Sequence, residues 1–224
     1  MRYLTILFLI SMLLLSSCTV STEKANDECS SLEGTQKDDC YLELGKCSKI
    51  DNKVVRDSCV IELAKTKKDI KVCKLVVDDK ANAHCQEEIA IITENHDLCN
   101  EIKDSYWENN CHYHLGINTN NHDYCTLITT PTQKEECLKK VAFSTNDWMI
   151  CELLSLSEKE TCLYKIAKTA GDVNICEKLT QPINKEACKL KVARIIGNQQ
   201  ICNTITINQI RSDCNKYFTS KKLE

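Results

Sequence analysis

Apolar side chains recur along this chain at fixed distances from its cysteines, and the cysteine spacing sets the period. From Cys47 to Cys214 the steps between consecutive cysteines alternate between 12 and 14 residues, with one step of 11. A 26-residue period is typical of a repeat array rather than of one globular core. In each repeat an apolar residue follows the first cysteine by three positions, as at Ile102, and another follows the second by four, as at Leu115. These spacings place side chains on one helix face, so each repeat predicts two amphipathic helices.

Polar residues mark the ends of these predicted helices. An aspartate or asparagine, both good N-cap residues, stands four positions before the first cysteine of six repeats. These six residues are Asp69, Asn95, Asn121, Asp147, Asp172 and Asn198. Gly171 and Gly197 directly precede two of the caps, where a glycine ends the previous helix. Pro131 and Pro182 fall between the two cysteines of their repeats and predict a turn there. We therefore expect each repeat to be a short helix, a turn and a longer helix.

Two other positions keep the same phase. The residue after the second apolar position is small, as at Gly116 and Ala142, which predicts the close approach of a neighbouring backbone. A basic residue followed by an acidic one recurs just before the second cysteine, as in Lys159-Glu160 and Lys185-Glu186. We interpret these charged pairs as a solvated face at the start of each longer helix.

The cysteines predict a covalent framework and an oxidising compartment. Apart from Cys18 the chain has 16 cysteines, an even number, as expected for disulfides in an exported protein. Pairing at the longer spacing leaves Cys29 and Cys214 unpaired and requires Cys40 to bond Cys47. Seven helical residues separate Cα atoms by about 10 Å, beyond the roughly 7 Å that a disulfide spans. We therefore predict pairing at the shorter spacing. The eight bridges are Cys29–Cys40, Cys47–Cys59, Cys73–Cys85, Cys99–Cys111, Cys125–Cys137, Cys151–Cys162, Cys176–Cys188 and Cys202–Cys214.

The N-terminus has the features of an export signal. One basic residue, Arg2, is followed by an apolar run from Tyr3 to Leu15 and then by Ser16, Ser17 and Cys18. The run is shorter than the roughly 20 residues of a membrane-spanning helix, which disfavours the alternative of an uncleaved anchor. Residues 15–18 resemble the lipobox of bacterial lipoproteins.

This resemblance implies a signal peptide at 1–17 and a Cys18 that carries fatty-acyl chains such as palmitate. Residues 18–28 then hold the lipidated cysteine and a tether. The membrane is thus a predicted partner, through Cys18. Thr19, in place of an aspartate, resembles the sorting pattern for the outer membrane, if the source has one.

The predicted fold is all-α, an α-solenoid of about eight disulfide-stapled helical hairpins in residues 29–224. We divide it into an N-terminal cap at 29–46, six full repeats at 47–201 and a C-terminal cap at 202–224. The hairpins resemble the tetratricopeptide-like repeat proteins, and among them the secreted cysteine-rich ones. That resemblance implies a protein or peptide partner bound on the concave face, and no catalytic activity.

Charge and motif content narrow the function further. Arg2 is the only charged residue among residues 1–17, so their removal leaves 28 basic against 32 acidic residues. The remaining sequence has no basic patch that would indicate a nucleic-acid partner. The sequence has no phosphate-binding glycine loop, nucleophile elbow or zinc-protease motif, and its closest cysteines are too far apart for a redox pair. We therefore predict no catalytic residue and no cofactor.

Histidines concentrate in one part of the chain. All five lie between His84 and His122. His96 and His122 share a repeat position, so helix packing places them about 10 Å apart, too far to share one zinc ion. His112 and His114 lie on different faces of a helix. We predict no metal ligand, and keep metal binding by this cluster as an alternative function.

Aromatic residues concentrate in the same region. Tyr124 occupies a position that is aliphatic in other repeats, so we expect it in the core. Tyr106 and Trp107 lie where the turn between helices is predicted and other repeats are polar, so we expect them to be exposed. Because aromatic residues are frequent in binding hot spots, Tyr106 and Trp107 are our candidates for partner binding.

These patterns together predict an extracytoplasmic, lipid-anchored protein of the cell envelope that binds a protein or peptide. An envelope enzyme, or an accessory to one, is the second alternative. It would require a pocket with convergent carboxylates or histidines.

Overall fold

The computed structural model describes residues 28–221, which form sixteen helical segments, numbered here α1 to α16 in chain order. No strand occurs within this range. The predicted all-α fold of disulfide-linked helical hairpins is confirmed. The signal peptide at 1–17, the lipidated Cys18 and the tether up to residue 27 lie outside the described residues.

Odd-numbered helices are short and even-numbered helices are long, as the repeat pattern predicts. The short helices are α1 Glu28–Ser31, α3 Cys47–Lys49, α5 Ile70–Cys73, α7 His96–Cys99, α9 His122–Leu127, α11 Trp148–Leu153, α13 Val173–Cys176 and α15 Gln199–Thr204. The long helices are α2 Gly34–Glu43, α4 Lys53–Lys67, α6 Asp79–Ile92, α8 Ser105–Asn118, α10 Pro131–Thr145, α12 Leu156–Ala170, α14 Pro182–Ile196 and α16 Asn208–Lys221. Helices α1, α3, α11 and α15 are 3₁₀ helices.

The helix ends follow the predicted capping residues. All six aspartates and asparagines act as N-caps, and each side chain accepts a hydrogen bond of 2.9 to 3.1 Å from the amide two residues on. Pro131 and Pro182 stand at the first positions of α10 and α14. The amide at this position has no acceptor within the helix, so a proline there costs no hydrogen bond. Gly171 and Gly197 end α12 and α14 in the left-handed conformation, with φ of 67° and 72°.

All eight predicted disulfides are bonded, with Cα–Cα distances of 5.4 to 5.7 Å. Each bridge joins the short and long helix of one hairpin, and the cysteines from Cys73 to Cys214 are at most 1% exposed. Closing a loop of this length stabilises the folded chain by about 3 kcal/mol in the chain-entropy model. So many disulfides indicate an oxidising, extracytoplasmic environment.

The chain divides into two compact units, residues up to Val60 and residues from Ile61 onwards. In the first unit, Tyr41 and Ile50 are buried. In the second unit, α6, α8, α10, α12, α14 and α16 pack each against the next. The apolar positions predicted from the repeat, such as Ile102 and Leu115, are buried there. Within residues 28–221, no helix has the length and apolar content that crossing a membrane requires.

The small position explains how closely successive hairpins pack. A Cβ atom at Gly116 of α8 would lie 2.8 Å from Cys125 Sγ and 3.0 Å from Cys137 Sγ. The backbone of the next hairpin approaches as predicted, with the Asn121 carbonyl oxygen at 3.3 Å, and the disulfide of that hairpin lies closer still. Glycine at this position therefore admits the neighbouring sulfur atoms.

Candidate functional site

A side chain near the start of each of several long helices reaches the next hairpin. It stands two residues before the second cysteine and accepts a hydrogen bond from a backbone amide four residues after the first cysteine of the following hairpin. The acceptor and donor pairs are Asp38 and Asp51, Asn109 and Thr129, Glu135 and Ser155, Glu160 and Thr180, and Glu186 and Thr206, at 2.6 to 3.0 Å. We refer to these contacts as junction bonds.

The junction bonds correct our interpretation of the charged pairs as a solvated face. Asp38 and Glu186 are only 6% and 4% exposed, and both accept hydrogen bonds from the adjacent hairpin. Burial raises the pKa of Glu160, but hydrogen bonds from Thr180 and Asn184 outweigh it and leave the pKa below its usual value. These carboxylates therefore help to hold successive hairpins together.

The series is interrupted in the hairpin formed by α5 and α6. Its corresponding side chain is the methyl group of Ala83, which cannot accept a hydrogen bond. The corresponding donor in the next hairpin is the amide of Lys103, and within residues 28–221 nothing accepts a hydrogen bond from it. An interrupted junction therefore separates α6 from the turn between α7 and α8.

A groove of about 710 Å³ lies at this interrupted junction. We call it the junction groove. It is lined by Lys74, Val76, Asp79, Asn82, Ala83, Gln86, Glu101, Lys103 and Asp104. The Nδ2 atom of Asn82 donates a hydrogen bond to the Cys73 carbonyl at 2.6 Å. A groove of this volume is large enough to hold amino-acid side chains.

The partner-binding candidates Tyr106 and Trp107 lie beside this groove, but their predicted placement in a turn is wrong. Both belong to the first turn of α8, where Asp104, a groove residue, caps their amides at 2.9 and 3.3 Å. Tyr106 is 64% exposed, as expected, whereas Trp107 is half-buried against the core cluster that contains Ala83. The helix begins earlier than we predicted because Asp104 supplies an N-cap that the repeat pattern did not identify.

Trp107 also contacts a histidine from the preceding hairpin. Its ring centroid lies 4.6 Å from that of His84 and 5.0 Å from that of Tyr106. The Nδ1 atom of His84 lies 3.3 Å from Glu87 Oε2, and burial raises the pKa of Glu87. The three rings form a partly exposed aromatic strip next to the junction groove.

A second group of rings consists of the buried His112 and the partly exposed His96 and Tyr124. His96 stacks on Tyr124 with ring centroids 4.9 Å apart and lies 5.4 Å from the ring of His112. His112 is 1% exposed, and burial, followed by the nearby His96, lowers its pKa to about 4. The ring atoms His96 Nε2 and His112 Nδ1 are buried without a hydrogen-bond partner among the described residues.

The contact of His96 with His112 was not predicted, because the repeat pattern relates His96 to His122 instead. Tyr124 packs against the core, as predicted, and His114 is exposed while His112 is buried. Among residues 28–221, no group of three or more histidine, cysteine or acidic side chains is arranged to hold a metal ion. Two neutral imidazoles alone supply half of the four ligands that zinc takes.

The fold and this site define the protein as a helical-hairpin repeat protein in which every hairpin is closed by a disulfide. Comparisons with protein-family models, curated protein sequences and solved structures find no significant match to the chain. The evidence for a function therefore comes from the residues of the junction groove and of the aromatic strip.

Proposed function

We propose that this protein is an exported lipoprotein, anchored in the membrane through an acylated Cys18, that binds a protein or peptide without catalysing a reaction. In a cell with two membranes, Thr19 directs it to the outer one. The bound partner contacts Tyr106, Trp107 and the junction groove.

The exposure of Tyr106, two residues after the groove residue Asp104, is the observation that carries this proposal. A tyrosine offers a large, rigid contact area and a polar hydroxyl group, and tyrosine and tryptophan are enriched in binding hot spots. The groove also bears on the enzyme alternative. That alternative requires convergent carboxylates, and one of the three in the groove, Asp104, is already engaged in capping the amides of α8.

A photo-crosslinking amino acid at position 106 tests partner binding directly. We expect p-benzoylphenylalanine in place of Tyr106 to give one discrete covalent adduct in intact cells of the source. Lys80 and Thr132 hold the same repeat position on neighbouring hairpins and are exposed, so they serve as matched controls. The same adducts from all three positions would overturn the assignment of the partner surface.

Intact mass of the membrane-extracted chain tests the anchor. We expect the loss of residues 1–17 and the gain of acyl groups on Cys18, and we expect Cys18→Ser to remove the acyl mass. Two buried acyl chains hold a protein stably in a membrane. A chain that retains residues 1–17, or that is cleaved elsewhere without acylation, would contradict the anchor.

The contact between His96 and the buried His112 favours metal binding as a second candidate function. The rings of His96 and His112 are 5.4 Å apart, and each has a nitrogen without a partner among the described residues. A zinc titration of the full chain, followed by calorimetry, separates the two functions. Binding no tighter than about micromolar, unchanged by His112→Phe, would remove the metal hypothesis.

A further inference from the structure

We infer that the junction groove binds the side-chain carboxylate of an aspartate or glutamate in the partner, which accepts a hydrogen bond from the backbone amide of Lys103. This inference deepens the proposed function and rests on it for the identity of the partner as a protein or peptide. The preference for a carboxylate follows from the other junctions of the molecule.

The other junctions show which chemistry fits at this place. Glu135, Glu160 and Glu186 each direct a carboxylate oxygen at the amide that corresponds to Lys103, at 2.6 to 3.0 Å. Asp38 does so in the first unit, at 2.7 Å. Charge-assisted hydrogen bonds of this kind are stronger than those between neutral groups. A carboxylate from outside the chain would reproduce a contact that the fold already uses repeatedly.

The junction groove provides the space for that carboxylate. Ala83 stands where the other junctions have a longer side chain, four of them acidic and one an asparagine, and its methyl group lines the groove together with Lys103. Two cations, Lys74 and Lys103, also line the groove. A glutamate side chain that enters from the partner can therefore approach the Lys103 amide and one ammonium group together.

The charges around the groove set the expected strength of binding. Asp79 and Glu101 also line it, and both are exposed, while Asp104 is engaged with the amides of Tyr106 and Trp107. The lining carries two cations and three carboxylates, so its net charge is -1 and long-range electrostatics do not favour a carboxylate ligand. Recognition depends on the hydrogen bond to Lys103, so we expect an isolated carboxylate to bind no tighter than about millimolar.

Amide NMR of the full exported chain in detergent micelles tests this contact at one atom. The probe is N-acetyl-glutamate N-methylamide, whose only charge is the side-chain carboxylate, and its control is the glutamine analogue at equal ionic strength. We expect the glutamate probe to shift the Lys103 amide resonance downfield in a saturable way. The Thr180 amide, already bonded to Glu160, is the internal control and should not move.

Ala83→Glu supplies the carboxylate from within the chain. We expect the Lys103 amide of this variant to resonate downfield without any probe, and the probe to bind at least about tenfold more weakly. The second variant is Ala83→Asn, which copies the carboxamide of Asn109. The dispersion of the amide spectrum reports whether each variant folds. In Ala83→Asn we expect the same loss of probe binding.

Three results would each overturn the inference. The Lys103 amide could remain unmoved by the glutamate probe, it could shift equally with the glutamine probe, or it could titrate unchanged in both Ala83 variants. Failure here is distinguishable from failure of the proposed function. A discrete adduct at position 106 without a response at Lys103 would retain a partner and exclude this chemistry, and the reverse pair of results would retain the carboxylate site without that partner.

Discussion

The junction that follows Ala83 and the junction that follows Glu160 occupy the same place in the repeat but differ in how they are closed. At the second junction one carboxylate oxygen of Glu160 accepts hydrogen bonds from both the amide and the hydroxyl group of Thr180. At the first junction Ala83 and Lys103 both line a groove, and no described residue accepts a hydrogen bond from the Lys103 amide. The comparison shows that a repeat position can hold hairpins together in one place and leave a surface for a ligand in another.

The two regions also differ in what fills their interior. The core cluster around Leu138 and Leu163 consists mainly of aliphatic side chains and disulfides, and the buried charges of that region, Glu186 and Lys189, form an ion pair. The region of α6 to α9 buries His112, which has a ring nitrogen without a partner among the described residues, and Glu87. Buried polar groups reduce stability unless they are paired, so this region is the one we expect to respond most to pH.

Removal of Glu186 has the largest expected effect, because its junction bond is combined with a buried ion pair. Its Oε1 atom lies 3.2 Å from Lys189 Nζ, and both side chains are at most 6% exposed. We expect Glu186→Ala to lower the free energy of unfolding by about 3 kcal/mol, since it leaves the Thr206 amide without this acceptor and leaves the buried Lys189 with only one carboxylate partner, Glu177 at 2.7 Å. Urea unfolding under non-reducing conditions measures the change.

Glu186→Gln is the matched control, since its carboxamide oxygen can still accept from the Thr206 amide. We expect it to lose less than half as much stability as Glu186→Ala. Equal losses in the two variants would mean that the charge, and not the junction bond, holds these hairpins together.

The pH dependence of stability is the second largest effect, and it belongs to the histidine-containing region. The pKa of His112 falls from 6.5 to about 4 on folding, so the unfolded chain binds a proton at a higher pH than the folded chain does. The free energy of unfolding is therefore highest above pH 6.5, where His112 is neutral in both states. It declines as the pH falls from 6.5 towards 4, because the unfolded chain takes up the proton first. A shift of this size corresponds to roughly 3 kcal/mol.

His112→Phe separates this effect from the acidic side chains. We expect the variant to lose the decline in unfolding free energy between pH 6.5 and about 4.5, measured by urea titration at several pH values. The carboxylates with lowered pKa, such as Glu135 and Glu160, act below that window. An unchanged decline in the variant would show that another group is responsible.

The repeat period, the N-caps and the disulfide pairing could be predicted from sequence because each depends on residues that are close along the chain or covalently joined. The junction bonds could not, because Glu160 and Thr180 lie 20 residues apart and the orientation of one hairpin on the next decides their contact. The pairing of His96 with His112 was missed for the same reason. An aligned column of the residues two positions before the second cysteine would have identified Ala83 as the exception.

Gly116→Ala tests how closely successive hairpins pack at the small position. A Cβ atom would meet the two sulfur atoms of the next disulfide, which is held by the backbone at both ends. Overpacking of this kind costs about 1–3 kcal/mol, and the better helix propensity of alanine recovers about 1 kcal/mol of it. We expect a net loss of roughly 1 kcal/mol, seen as a lower urea midpoint. A higher midpoint would mean that the hairpins adjust their spacing freely.

The smallest expected effect concerns the residue before each N-cap, where the two regions again differ. Glu94 has a φ of 50° at the end of α6, while Gly171 adopts 67° at the same place after α12. Left-handed backbone costs a residue with a Cβ atom about 1–2 kcal/mol, and glycine loses about 0.5–1 kcal/mol more conformational entropy on folding. We expect Glu94→Gly to raise the free energy of unfolding by about 0.5 kcal/mol, measured as an increased thermal midpoint under non-reducing conditions.

The reverse change, Gly171→Ala, should lower the midpoint by more, since its Cβ atom would also lie 2.7 Å from Ile196 Cγ2. A lower midpoint for Glu94→Gly would mean that contacts of the glutamate side chain outweigh the backbone strain at the end of α6.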